Sequence, residues 1–232
     1  MARKGSARLR LRWLGAFLLV GLISAAATWW HLRGWTPERG AWPLQGAEIG
    51  EGDGAVDFRA LKAVGADFVY LDASASAFAR DAAFVRNFDA ARAAGLQVGA
   101  VHRYDPCQPA DRQAANFVTV VPRDASLLPP AVELDALAEA CPTRVSDAAI
   151  ESELTTFLNQ VETHTGKPVI LKLGRAFEKR YRVAAAIDRN LWLTRTRFQP
   201  EYAGRPWMLW TANSGWRSEA LPGPLRWVVV QP

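Results

Sequence analysis

The chain has 232 residues, 50% of them hydrophobic, which suits one sizeable domain plus an extra segment. Its formal charge of +5 comes from Arg3, Lys4, Arg8, Arg10 and Arg12; without these five, 23 basic residues (28 − 5) face 23 acidic ones. A neutral body with no basic stripe argues against a nucleic-acid partner. No Cys/His cluster has metal-ligand spacing, so neither a metal nor another cofactor is expected.

In chain order, the basic residues 1–12 lead into an uncharged run, Trp13–Trp30, near the lower length limit for a membrane-spanning helix. The positive flank predicts a cytoplasmic N-terminus, an inner-membrane anchor with Trp13, Trp29 and Trp30 at the interfaces, and an exported body. A cleaved signal sequence is the alternative, because Ala25-Ala26-Ala27 offers a small-residue cleavage site. Residues 31–45 read as a linker rich in Gly and Pro, and 46–232 as the main domain.

Within that domain, β-type runs recur at Gly46–Ile49, Phe68–Asp72, Gln97–His102, Ala131–Asp135, Val169–Leu173, Leu191–Thr194, Trp207–Trp210 and Trp227–Val230. Helical patterns separate the earlier ones. Asp81–Ala94 ends at Gly95, Pro109–Val120 follows, Ser146–Thr165 opens on Ser146 as an N-cap and closes at Gly166, and Arg175–Ile187 is weaker. Strands alternating with helices imply a mainly parallel α/β sheet, and eight strands can close into a barrel. The expected fold is a distorted, TIM-like (β/α) barrel with helices in its first part and bare strands in its last. An open doubly wound sheet is the alternative. No Gly-rich phosphate loop follows a strand.

Side chains at strand C-termini meet at the mouth of a parallel barrel. That rule selects Glu48, Asp72, His102, Glu133, Asp135 and Trp210. Glu133 and Asp135 are spaced i, i+2 in Leu127–Asp135, so they should share a face roughly 6–7 Å apart. Two acids at a strand end suit protonation of a glycosidic bond by one and stabilisation of the positive transition state by the other. The bland alternatives are two solvated carboxylates, turn polarity for Glu48, a loop cap for Asp72 and a satisfied core histidine for His102. Tyr104, Trp192 and Trp210 are candidates for stacking on sugar rings, or else simply core. Cys107 and Cys141 each follow a strand end, so an exported domain would oxidise them if they share a rim; two separate structural thiols are the alternative.

Ordered local motifs add a family resemblance over roughly Gly46 to Trp227. Gly46-Ala47-Glu48-Ile49-Gly50 with Gly54-Ala55-Val56-Asp57-Phe58 resembles G-I-D-V-S…G-x-I-D-W, and Phe68-Val69-Tyr70-Leu71-Asp72-Ala73-Ser74 resembles F-V-Y-I-K-A-T. Ala93–His102 resembles A-A-G-L-x-V-G-A-Y-H, Gln113–Phe117 resembles Q-A-x-x-F, and Leu128–Asp135 resembles L-P-P-x-L-D-x-E. Gly166–Ile170 and Leu191–Leu193 are similar to later strands. These motifs resemble glycoside hydrolase family 25, the muramidase-type lysozymes. The resemblance implies a distorted barrel, peptidoglycan as substrate, a general acid at Asp135, its partner at Glu133 and a supporting acid at Glu48. Asp72, His102, Tyr104, Trp192 and Trp210 would then serve substrate binding.

The departures fall on the chemistry. The lengths of the two acids in D-x-E are exchanged, the first-strand Asp is Glu48, and the acid after A-T is Ala75. The fifth-strand Tyr is Leu171, W-Q-Y is Trp210-Thr211-Ala212, and V-D-L-N is Leu225-Arg226-Trp227-Val228. Retained hydrolysis with altered positioning is the leading expectation; a peptidoglycan-binding or scaffold module is the alternative.

Overall fold

The computed structural model describes residues 4–232, with residues 4–12 and 31–33 described by their backbone alone. The side chains of the basic stretch before the apolar run therefore lie outside the described residues. The chain forms two compact units, one up to Trp35 and one over Thr36–Pro232.

The first unit is a helix, α1, Lys4–Arg33. Its window Trp13–Trp30 has a mean hydropathy of 1.6 with 0% of it buried. Trp13, Phe17, Leu18 and Trp30 are all exposed. By length and composition this helix is able to cross a membrane, a test that a signal sequence also passes.

The second unit is a closed barrel. Its strands are β1 (Gln45–Ile49), β2 (Phe68–Ala75), β3 (Ala79–Arg80), β4 (Gln97–Arg103), β5 (Ala131–Leu134), β6 (Ile170–Leu173), β7 (Leu191–Thr194), β8 (Leu209–Trp216) and β9 (Leu225–Val230). The sheet runs β1-β9-β8-β7-β6-β5-β4-β2, and β1 pairs with β2 to close it, which settles barrel against open sheet. β3 is a two-residue appendage on β2 that the sequence pattern did not reveal. From β1 through β8 the barrel pairings are parallel, whereas β9 runs antiparallel to both β8 and β1.

Helices cover the early strands: α2 (Phe58–Ala63), α3 (Phe84–Ala93), α4 (Ala110–Val120) and α5 (Asp147–Thr165). Local chemistry sets their ends. The Asp57 carboxylate accepts from the Arg59 and Ala60 amides, and the Ser146 hydroxyl accepts from Ala149 N, so each satisfies donors that the first turn leaves open. The segment expected as one weak helix is two, α6 (Arg175–Tyr181) and α7 (Val183–Ala186), broken at Arg182 with φ 53°. No helix separates β7 from β8 or β8 from β9.

The barrel interior is packed by Phe68, Tyr70, Val101, Ala131, Ile170, Trp192, Leu209 and Val228. Tyr70 fits because β4 offers Gly99 opposite it: a Cβ there would lie 2.3 Å from the ring. Residues 36–44, read as linker, are stitched to the barrel wall. Trp42 stacks on Trp207 at 5.7 Å and meets Trp210 edge-on at 5.4 Å, while the Gln45 amide donates to the carbonyls of Pro37 and Trp42.

Candidate active site at the barrel mouth

Alternation along each strand places the next inward layer above that apolar plug. Two residues beyond Tyr70, Val101, Ala131 and Ile170 come Asp72, Arg103, Glu133 and Lys172. From β1 the layer receives Glu48, and from the reversed β9 it receives Arg226, whose register partner is Glu48. The C-terminal rule breaks at β9 for that reason: an antiparallel strand presents its beginning, not its end, to the mouth.

These groups form one chain of alternating charge. Arg103 Nη2 donates to Asp72 Oδ2 at 3.1 Å, and Arg103 Nε donates to Glu133 Oε2 at 3.3 Å. Lys172 Nζ donates to Glu133 Oε1 at 2.7 Å and also to Glu48 Oε1. Glu48 Oε2 faces Arg226 Nε at 3.4 Å, and Arg226 Nη2 donates to Asp53 Oδ2 at 2.9 Å. Lys172 also sits 5.1 Å from the Trp192 ring centroid, so the Trp is a floor for the ammonium. Glu48 and Lys172 expose only 2% and 9% of their side chains, and buried charges of this kind persist only when paired.

The charge chain sets the protonation states. Burial pushes Glu133 up, but Lys172 and then Arg103 outweigh it and hold the carboxyl below the ordinary glutamate range. Burial lowers Lys172, and Glu48 and Glu133 more than compensate, so the ammonium is held more firmly than usual. Asp72 goes the other way. Burial first and the Glu48 charge second raise it to about 6, against Arg226, Lys172 and Arg103. Its Oδ1 is buried without a hydrogen-bond partner.

Glu48, Glu133 and Asp135 line one cavity of about 330 Å³ together with Lys172, Gly174, Arg175, Thr194, Tyr202, Thr211, Ser214 and Arg226. Glu133 and Asp135 share this opening, as their spacing requires. Asp135 is exposed and makes no ion pair or hydrogen bond among the described residues. Its carboxylate lies against Gly174, where a Cβ would come within 2.1 Å of Oδ1. Beyond Arg103 lies a second cavity of about 440 Å³ lined by Asp72, Ser74, Arg80 and Arg103. A larger depression of about 830 Å³ lies elsewhere, lined by α2, the end of α3 and residues 219–222, and it collects none of these acids.

Four expected substrate contacts are not at the opening. His102 is fully buried on the outward face of β4, 4.8 Å from the Phe157 ring and 6.2 Å from Phe117, with Ser74 and Gln113 on its nitrogens. Burial lowers it to about 4, so it is neutral there, a satisfied core histidine. Tyr104 packs edge-on against Phe157, 2% exposed. Trp192 is the interior floor, and Trp210 is buried against Trp42 and Trp207 while its Nε1 donates to Arg195 O. Asp72 remains at the mouth, in the second cavity.

Sequence reasoning missed Lys172, Arg103, Arg226, Arg175 and Tyr202. The signal for Lys172 and Arg103 was present in the inward alternation from Ile170 and Val101; the signal for Arg226 required knowing that β9 reverses. Cys107 and Cys141 are bonded, with Cα atoms 5.2 Å apart, and tie the loop after β4 to the loop after β5 beside the mouth. Among the described residues no group of His, Cys, Asp or Glu has metal-binding geometry.

The sequence profile of Glycosyl hydrolases family 25 matches residues 48–217. No curated protein matches the chain significantly. Among solved structures, a family 25 glycosyl hydrolase from Bacillus anthracis superposes with a TM-score of 0.75 at 21% identity, covering 86% of this chain and 93% of that one. The bacterial lysozyme from Streptomyces coelicolor gives 0.72 at 18% identity, with 82% and 92% covered. The muramidase from Acremonium alcalophilum gives 0.68 at 18% identity, with 82% and 93% covered. The profile spans most of the chain and the barrel superposes on these structures, and the chain belongs to glycosyl hydrolase family 25.

Proposed function

We propose that this protein is an exported, membrane-anchored glycoside hydrolase that cleaves β-1,4 bonds of peptidoglycan. The observation that carries this reading is the shared cavity: three carboxylates from two strands meet there, and Asp135 alone among them is unpaired. Asp135 is then the acid that protonates the leaving oxygen. Glu133, kept ionised by Lys172 and Arg103, is the fixed anion beside the positive charge of the transition state. Glu48 acts through Lys172, holding the ammonium in place. The apolar helix supports anchoring, and the disulfide supports an oxidising compartment. The test is release of reducing ends from purified cell wall by residues 36–232. Turnover no higher than that of the E133Q/D135N double variant refutes hydrolysis.

A specific observation favours a second reading. Lys172 occupies two of the three carboxylates at once, and Arg226 adds a cation beside them. A site so neutralised suits a peptidoglycan-binding module that holds glycan without cutting it. Retention on insoluble peptidoglycan with no release of fragments is its signature; clear hydrolysis or no retention rejects it.

A further inference from the structure

We propose that Asp72 is a positioning residue that acts on Glu133 through Arg103. Ionised, Asp72 draws the guanidinium to itself and leaves Glu133 more of its charge to set beside the sugar; protonated, it releases Arg103 to Glu133, and turnover falls. This rests on the hydrolase reading above and adds to it a control by solvent protons.

Four carboxylates, Asp72, Glu133, Glu48 and Asp53, alternate in the mouth with three cations, Arg103, Lys172 and Arg226. One acid is in excess, and Asp72 is the least compensated of the four. Glu133 meets both Lys172 and Arg103, and Glu48 meets both Lys172 and Arg226. Asp53 accepts from both terminal nitrogens of Arg226 and from the Gly50 amide. Among the described residues, Asp72 has only the Arg103 contact, at 3.1 Å on Oδ2, and its Oδ1 is buried without a hydrogen-bond partner. A proton from solvent therefore settles on Asp72 before the other three.

The charged groups around Asp72 are Glu48 from β1, Arg226 from β9, Lys172 from β6 and Arg103 from β4, with Glu51, Arg80 and Asp81 on the wall of the second cavity. Arg80 Nε donates to Asn116 Oδ1 at 3.0 Å, and the Asp81 carboxylate accepts from the Ala83 amide at 2.6 Å, so both are engaged elsewhere. Burial first, and the Glu48 charge second, raise Asp72 to about 6.

The link to Glu133 is direct. Arg103 is the register partner of Glu133 across β4 and β5, and its Nε donates to Glu133 Oε2 at 3.3 Å while Nη2 serves Asp72. The Arg103 side chain is 61% exposed, so its two carboxylates, not packing, set its position. A guanidinium shared between two anions cancels less of either charge than one given wholly to a single carboxylate. Asp72 stands where the family motif has a lysine, so this carboxylate-to-arginine link is a feature of this chain.

The test is release of reducing ends from purified cell wall by the full chain in detergent, parent against Asp72→Asn, from about pH 4.5 to about pH 8. The ratio of the two rates at each pH cancels every titrating group that both proteins share. The rates should agree within about 2-fold at the acid end, where Asp72 already carries its proton, and the parent should be faster by about 5-fold or more at the alkaline end. With Arg103→Ala in both backgrounds, the two rates should agree within about 2-fold at every pH. Asp72→Asn gains stability as pH rises, so a merely structural role would not lower turnover there. The nitrogen resonance of Arg103 Nε, assigned through Arg103→Lys, should move with a midpoint at about 6 in the parent and stay fixed in Asp72→Asn. A rate ratio independent of pH, a pH-dependent ratio that survives Arg103→Ala, or a parent resonance that does not move overturns the role of Asp72 and leaves hydrolysis standing. No turnover by the parent at any pH overturns hydrolysis and this role with it.

Discussion

Substituting Lys172 by methionine removes the ammonium that Glu48 and Glu133 share and keeps an aliphatic stem over the Trp192 ring, so the change is chiefly one of charge. Glu48 then stands 2% exposed with only the Arg226 contact at 3.4 Å. Removing one member of a buried ion pair costs about 3–5 kcal/mol at neutral pH. For a domain of this size that is a fall in Tm of roughly 6–20 °C. The pH dependence separates this from lost packing. Glu133 is held below the ordinary range, so its contribution is present above the unfolded glutamate value of about 4.3 and is lost as pH falls through its folded value. The difference between parent and Lys172→Met, read from urea unfolding followed by tryptophan fluorescence, should be largest above about pH 5 and shrink below about pH 4. Adding Glu48→Gln, which removes the stranded charge, should recover roughly half. A loss below about 1 kcal/mol, or one independent of pH between 7 and 3.5, refutes the paired-charge account.

Asp72, raised to about 6, binds its proton more tightly folded than unfolded, so stability is full below about pH 4 and erodes as pH rises through 6. Asp72→Asn should therefore stabilise by about 3 kcal/mol at pH 8 and by little at pH 4, measured by thermal melts at both. Gly174→Ala puts a methyl 2.1 Å from Asp135 Oδ1, displacing that carboxylate; cell-wall turnover should drop about 100-fold with little change in Tm, and unchanged turnover would remove Asp135 from the mechanism. Gly99→Ala meets the Tyr70 ring at 2.3 Å and should cost about 1–3 kcal/mol in urea unfolding. Replacing both Cys107 and Cys141 by Ser, which opens a span of 34 residues, should cost about 3–4 kcal/mol, matched by the effect of reductant on the parent.

The mouth keeps acids and bases in balance, but not where the family motifs put them. The lysine of F-V-Y-I-K-A-T stands as Asp72, and the aspartate of V-D-L-N stands as Arg226. Positive charge returns on β6 as Lys172, within reach of both Glu48 and Glu133. Relocated charges of this kind leave the barrel closed and its floor packed, because each burial is offset by a neighbour, while altering which carboxylate is free to give up a proton.

The alternation of strands with helices, the closed α/β barrel with bare late strands and the strand-end positions of Glu48, Glu133 and Asp135 were legible in the chain, whereas the bond between Cys107 and Cys141 stood there as one of two alternatives. They follow from local periodicity, turn residues and motif order, which depend on neighbours in sequence. Arg103 and Lys172 were missed, although the inward alternation from Val101 and Ile170 carried their signal. The places of His102, Tyr104, Trp192 and Trp210 were not legible, because whether a strand-end side chain turns to the mouth or to the helices is a matter of one residue in register. Arg226 reached the site only through the reversal of β9, and Glu48 met Lys172 across 124 positions of sequence. Those pairings, and the protonation states they impose, belong to the tertiary structure, because electrostatic coupling depends on distance in space and on burial, neither of which a linear pattern carries.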